Sequence, residues 1–240
     1  MKINIYISPA ETIKHMADYF VEIAKQCIIK NGRFTVALSG GSSPKKLYEL
    51  LSSEVYKYAF DWKKVFFFFG DERYVPVTYK ESNYLMAKKA LFEPLQIANQ
   101  QVFSVDTNLP PEDAAKDYET RMKAFWSQEV IKLDLVLLGL GDNSHTASLF
   151  PYTTILHDNE PAVKDLFVEE LNAYRITLNA PMLNNAQHAA FLVYGKNKAV
   201  AVHHILQGNT DIEAYPAQLI NLNSGELSWF LDKEAAAKLS

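Results

Sequence analysis

Short apolar runs that each end in a polar, glycine-bearing turn constrain the fold of this chain more than any other feature. Phe34-Thr35-Val36-Ala37-Leu38 runs straight into Ser39-Gly40-Gly41-Ser42-Ser43-Pro44. Val65–Phe69 leads into Gly70-Asp71-Glu72-Arg73, Leu133–Leu138 into Gly139-Leu140-Gly141, and Phe191–Tyr194 into Gly195. Short, continuously apolar runs bounded by turns read as strands buried on both faces. Helical patterns follow the turns. One begins near Pro44 with Leu47, Leu50 and Leu51 on one face, one spans about Ser82–Leu91, and one runs through Ala199–Leu206. This rhythm predicts an α/β fold with a parallel sheet and crossover helices. Ligands in such sheets bind outside the carboxyl ends of the strands. The polar turns are therefore expected to meet at one edge.

The rest of the chain fits that frame. Residues 3–7 alternate like a first strand. Ile13, Met16, Ala17, Phe20, Ile23, Ala24 and Cys27 recur at helical spacing from Ala10 to Ile29, and Asn31-Gly32 stops the helix. Pro110-Pro111 and Pro161 are read as loops. With no internal repeat or compositional break, residues 1–240 are expected to form a single domain. Apolar residues make up 48% and charged residues 22%, which allows a sizeable core. A net charge of -4 argues against a nucleic-acid partner but permits a small basic pocket. The single cysteine, Cys27, excludes an intramolecular disulfide and suits a reducing compartment. The start has no signal-peptide stretch and no segment has the apolar length of a membrane span, so a cytoplasmic location is expected.

The polar turns hold the candidate chemistry. Ser39, Gly40, Gly41, Ser42 and Ser43 offer hydroxyls, close backbone approach and the free N–H groups of a helix start, all suited to a phosphate. The loop lacks the Gly-Lys-Ser/Thr ending of a P-loop, and a plain strand–helix turn is the alternative. Arg73 can clamp a phosphate or pair with Asp71 or Glu72. It is one of only four arginines, and Arg175 likewise sits beside a strand-like run. Lys198 follows Gly195 near a helix start, where it can meet a phosphate or simply face solvent. His145, in a polar turn just past a buried strand, is placed for acid–base work near neutral pH. His203-His204 does not read as a metal site, because adjacent helical positions point about 100° apart. No metal site is expected there.

Taken in order, these motifs resemble the 6-phosphogluconolactonase family, within a wider group that includes glucosamine-6-phosphate deaminase. The resemblance rests on Ser39–Pro44, Asp71-Glu72-Arg73-Tyr74-Val75-Pro76 with Ser82-Asn83-Tyr84, and His145-Thr146-Ala147-Ser148-Leu149-Phe150-Pro151. It continues through Arg175-Ile176-Thr177-Leu178, Gly195 with Lys198-Ala199, and the stretch from Pro216-Ala217 to Asp232. It implies a modified doubly wound, Rossmann-like α/β fold with a mostly parallel sheet and helices on both faces. It implies hydrolysis of 6-phosphogluconolactone without a cofactor, by a monomer or homodimer whose partner is a small sugar phosphate. His145 would be the general base. Ser42, Ser43 and the nearby backbone, with Arg73, Arg175 and Lys198, would hold phosphate and sugar.

The chain departs from the family at one place. Gly141-Asp142-Asn143-Ser144-His145 stands where the family has Gly-x-Asp-Gly-His. Asn143 thus replaces an Asp that could orient the histidine, and Ser144 replaces a Gly. Asp142 could take over if the turn is rearranged. An amino-sugar phosphate deaminase is the alternative enzyme, with Asp71 as its proton-transfer base. Thr146–Pro151 lacks the glutamate of the related deaminase run, and Asn143 lacks the charge that ring opening needs. A non-catalytic sugar-phosphate sensor is the third reading. Such modules usually come attached to a DNA-binding segment, and with a strand read from Ile3 no helix-turn-helix is expected here.

Overall fold

A computed structural model of the chain describes residues 1–127 and 130–240. In chain order its main elements are β1 (Lys2–Tyr6), α1 (Pro9–Asn31), β2 (Phe34–Leu38), α2 (Ser42–Leu51), β3 (Val65–Phe69), β4 (Asp71–Arg73) and α3 (Asn83–Ala87). There follow α4 (Pro111–Trp126), β5 (Leu135–Leu138), β6 (Val163–Val168), β7 (Ala173–Leu178), α5 (Ala180–Asn184), β8 (His188–Val193), α6 (Ala199–Gln207) and β9 (Glu226–Asp232). Six strands form a parallel sheet in the order β1-β9-β8-β5-β2-β3. The expected α/β architecture with a mostly parallel sheet is present.

The apolar strands are buried because the sheet is covered on both faces. Successive side chains of one strand enter opposite cores. Phe34, Val36 and Leu38 join one core with Phe67 and Phe69, while Ala37 and Phe68 join the other. Helix α1 packs the predicted stripe Ile13, Met16, Ala17, Phe20, Ile23, Ala24 and Cys27. Its start is fixed by Ser8, whose Oγ accepts from the Glu11 N–H at 3.3 Å, and by Pro9 in the first turn. Gly32, at φ 73°, ends it in the left-handed region. The run from Leu133 contains Asp134, which is buried. Its carboxylate accepts from the Thr35 N–H and Oγ1–H, both at 2.8 Å, tying the chain just before β5 to β2.

Several elements differ from expectation. Asp71–Arg73 is not a simple turn. It forms β4, the edge of a second, antiparallel sheet ordered β4-β7-β6. Glu72 explains this local structure. Its carboxylate accepts the N–H groups of Arg73, Asn83 and Tyr84 at 2.8, 2.7 and 2.8 Å and so folds the start of α3 back onto β4. The helix expected over Ser82–Leu91 regularises only through Ala87, and a wider helical turn continues over Lys88–Phe92. Pro111 is not in a loop. It opens α4, where its missing N–H is harmless and Glu112 and Asp113 favour the positive helix end.

Candidate active site

The expected convergence of turns occurs. A cavity of about 370 Å³ is lined by Ser39–Pro44 after β2, Asp71 and Arg73 of β4, Gly139–Gly141, His145–Ser148 and Phe150 after β5, Arg175 of β7, and Tyr194 and Lys198 after β8. Of the residues singled out from the sequence, Glu72, Asp142, Asn143 and Ser144 are not among those that line it.

The loop after β2 leaves donors free. Gly41, at φ 106°, takes a backbone conformation that suits glycine and caps α2 without a side-chain bond. Ser42 and Ser43 then begin the helix. Their N–H groups precede its first internal bond, which Lys45 N–H makes to Gly41 O at 3.2 Å. Ser39 Oγ is buried and has no hydrogen-bond partner among the described residues. Gly40 is required sterically, because a Cβ there would lie 1.9 Å from Asn83 Oδ1.

The opposite wall carries an unusual pairing. Arg73 and Arg175 sit directly across from one another on β4 and β7. Opposed like charges on neighbouring strands are destabilising unless an anion lies between them. Burial, and then the Arg73 charge, push the Arg175 guanidinium below its ordinary pKa. Neither arginine pairs with a carboxylate among the described residues. Arg73 Nη1 donates to Glu81 O at 2.7 Å and Arg175 Nη1 to Tyr174 O at 3.0 Å. The structural ion pair of Arg73 with Asp71 or Glu72 is therefore not formed. Asp71 accepts instead from Ser148 Oγ–H at 2.8 Å and from Asn83 Nδ2–H at 3.4 Å.

His145 stands at the end of a tight loop. Gly141 N–H donates to His145 O at 2.8 Å, and Thr146 Oγ1–H donates to Gly139 O at 2.9 Å. Gly141 makes room for the ring, since a Cβ there would lie 2.2 Å from His145 Nδ1. The imidazole stacks on Phe150 with ring centroids 4.3 Å apart. This burial lowers its pKa from 6.5 to about 4, with Asp71 opposing and the cations Lys198, Arg175 and Arg73 assisting. Asn143 Oδ1 lies 2.5 Å from Nδ1. An amide oxygen can only accept, so Nδ1 carries the proton and Nε2 keeps its lone pair.

The departure at 142–144 has a structural outcome. Asp142 does not replace the missing carboxylate at His145. It pairs with Lys198 Nζ at 2.6 Å and accepts from Asn197 Nδ2–H at 2.9 Å, and Lys198 holds its carboxyl below the ordinary range. Lys198 also donates to Leu140 O at 2.7 Å, leaving one of its three N–H groups. Ser144 is buried with φ 65°, the left-handed conformation that glycine takes more easily. Ala147, at φ 46°, adds further strain to the same loop.

Three wall residues escaped the sequence reading. Tyr194 ends an apolar run and has a buried hydroxyl without a partner among the described residues. Ser148 lay inside a quoted motif, but its partner Asp71 is 77 positions away. Glu170 is one of two adjacent glutamates in the β6–β7 turn, with no local signal of a site.

These features define a class. The molecule is a parallel-sheet α/β protein whose strand-end cleft brings the free N–H groups of a helix start, two arginines and a lysine together with a half-buried histidine. The chain belongs to the family described as glucosamine-6-phosphate isomerases/6-phosphogluconolactonase, which it matches over residues 7–229. It is 38% identical to a 6-phosphogluconolactonase of Nostoc sp. over 250 residues, covering 100% of both chains. It is 35% identical to a 6-phosphogluconolactonase of Rattus norvegicus over 242 residues, covering 99% of this chain and 93% of the relative. The solved 6-phosphogluconolactonase of Trypanosoma cruzi superposes with a TM-score of 0.86 at 31% identity, covering 100% of this chain and 97% of that one.

Proposed function

We propose that this chain hydrolyses 6-phospho-D-glucono-1,5-lactone to 6-phospho-D-gluconate, with His145 as general base. The relatives' activity supports the reaction. The observation that carries the mechanism is the uncharged His145 ring, held through Nδ1 by Asn143, on the wall of a cavity that also presents Arg73 and Arg175.

A lactone is an activated ester, so no covalent nucleophile is needed. Nε2 of His145 takes a proton from water as the water oxygen bonds to C1 of the lactone. The tetrahedral intermediate collapses with cleavage of the bond between C1 and the ring oxygen. The leaving oxygen takes a proton back from the imidazolium, and the new acid ionises. The phosphate lies remote from this bond. Ser42, Ser43, the Ser39–Gly41 backbone, Arg73, Arg175 and Lys198 bind it together with the sugar hydroxyls, and that binding positions the carbonyl. Asp71, fixed by Ser148 and Asn83, supplies the negative charge that steadies the imidazolium. Residues 1–240 act as one unit, monomeric or homodimeric, in the cytoplasm. No helix among the described residues is long and apolar enough to cross a membrane.

The test follows loss of the phosphorylated lactone at neutral pH against its spontaneous hydrolysis, with unphosphorylated gluconolactone in parallel. Acceleration confined largely to the phosphorylated lactone is expected. No acceleration of either, or equal acceleration of both, contradicts the reading.

A further inference from the structure

The amide at position 143 raises a question that a carboxylate would not. A carboxylate beside His145 Nδ1 offers an acceptor whichever way it turns. A primary amide has one accepting and one donating end of nearly equal shape. If Nδ2 faced the ring, Nδ1 would have to accept, the proton would move to Nε2, and the lone pair required of a base would be lost. Something must decide which end of Asn143 faces His145.

The structure places one group at the other end of the amide. Asn143 Nδ2–H donates to Glu170 Oε1 at 3.3 Å, while at the near end the only other contact on Oδ1 among the described residues is the His145 backbone N–H, long at 3.4 Å. Glu170 belongs to the turn between β6 and β7 and lines the cavity. An ionised carboxylate only accepts, so Glu170 demands the NH₂ end of Asn143 and turns Oδ1 toward the ring. The chain of contacts runs from carboxylate to amide to imidazole, and each link admits one direction.

We propose that Glu170 is a positioning residue for the base. Through Asn143 it fixes the Nδ1–H tautomer of His145 and keeps Nε2 available to water. The orienting function is divided between two residues on separate loops. The small antiparallel sheet then serves both halves of the site, with Arg175 on β7 and Glu170 on the turn that leads into it. The catalytic consequence rests on the lactonase reading. The tautomer consequence does not.

The experiment has a kinetic arm and a spectroscopic arm. Glu170→Ala lowers kcat roughly 2- to 12-fold with KM nearly unchanged, the fold-change of one ordinary hydrogen bond. Its effect should vanish or reverse when Asn143→Asp is also present. The carboxylate introduced by Asn143→Asp would orient the ring unaided, and its charge would face Glu170 with no N–H between them. The same fractional change in both backgrounds, including none in either, overturns the proposal. The spectroscopic arm observes the ring nitrogens of His145 by long-range ¹H–¹⁵N correlation, assigned with His145→Gln. The intact protein should show the Nδ1–H form and Glu170→Ala a mixture. An unchanged tautomer overturns the proposal. If the intact protein fails to hydrolyse the lactone, the lactonase reading falls and the spectra alone decide the role of Glu170.

Discussion

The charge state of His145 is the most informative quantity in the site. Stacking on Phe150 and enclosure by the loop from Gly139 remove water from the ring, and its pKa falls from 6.5 to about 4. At pH 7 only about one molecule in a thousand would then carry the imidazolium. The same shift couples to folding. Between pH 6.5 and 4 the unfolded chain binds a proton at this ring that the folded chain refuses. Stability from the neutral ring is therefore complete above pH 6.5 and lost as the pH falls through 4. The difference in pKa corresponds to roughly 3 kcal/mol, an upper bound because the ring is only half-buried. Two measurements check this. The His145 ring protons, followed by NMR in the ligand-free protein, should titrate near pH 4. Urea unfolding of the intact protein and of His145→Gln should diverge with pH, the intact protein losing up to about 3 kcal/mol relative to the variant between pH 7 and 4. Titration of the ring between pH 6 and 7, with parallel stability curves, would refute the reasoning.

Other substitutions test separate parts of the site. Arg175→Gln relieves the cross-strand repulsion with Arg73, so the ligand-free protein should gain up to about 1 kcal/mol in denaturation. Its affinity for 6-phosphogluconate, by calorimetry, should fall about tenfold or more. Loss of stability together with unchanged affinity would contradict the anion cradle. Gly40→Ala drives a methyl into Asn83 Oδ1 and should cost about 1–3 kcal/mol, read by urea unfolding. A neutral outcome would mean that Asn83 moves freely. Ser144→Gly relaxes the left-handed residue before His145 and should raise Tm by about 2–4 °C in a thermal melt. A lowered Tm would show that the serine is favoured for another reason.

The parallel sheet was legible because its strands are buried on both faces, and burial of that kind leaves unbroken apolar runs such as Val65–Phe69. The turns were legible for a related reason, since a strand end must give way to polar, glycine-bearing backbone where the core stops. The first strand shows the limit of pattern. Alternation located β1, but its apolar set is on the outer face, with Ile3 and Ile5 exposed while Asn4 donates to Trp229 O at 3.2 Å. An edge strand does not have to bury its apolar side. The small sheet was hidden because its pairing is made across long separations. Nothing local to Asp71-Glu72-Arg73 announces that Thr177, Ile176 and Arg175 will lie opposite it. The same reasoning applies to the site. His145, Arg73, Arg175 and the serine loop could be named from residue type and position. The hold on His145 by Asn143 and Glu170 could not, because it depends on which end of an amide meets a turn 27 residues later.

The central claim is that His145 acts as the base on a phosphorylated lactone held by the opposite wall. Its most direct test compares the intact protein with His145→Ala for 6-phosphogluconolactone hydrolysis, with 6-phosphogluconate affinity measured alongside. In His145→Ala kcat should fall about 10²- to 10⁴-fold, with affinity for the product largely retained. Unchanged turnover in His145→Ala would contradict it.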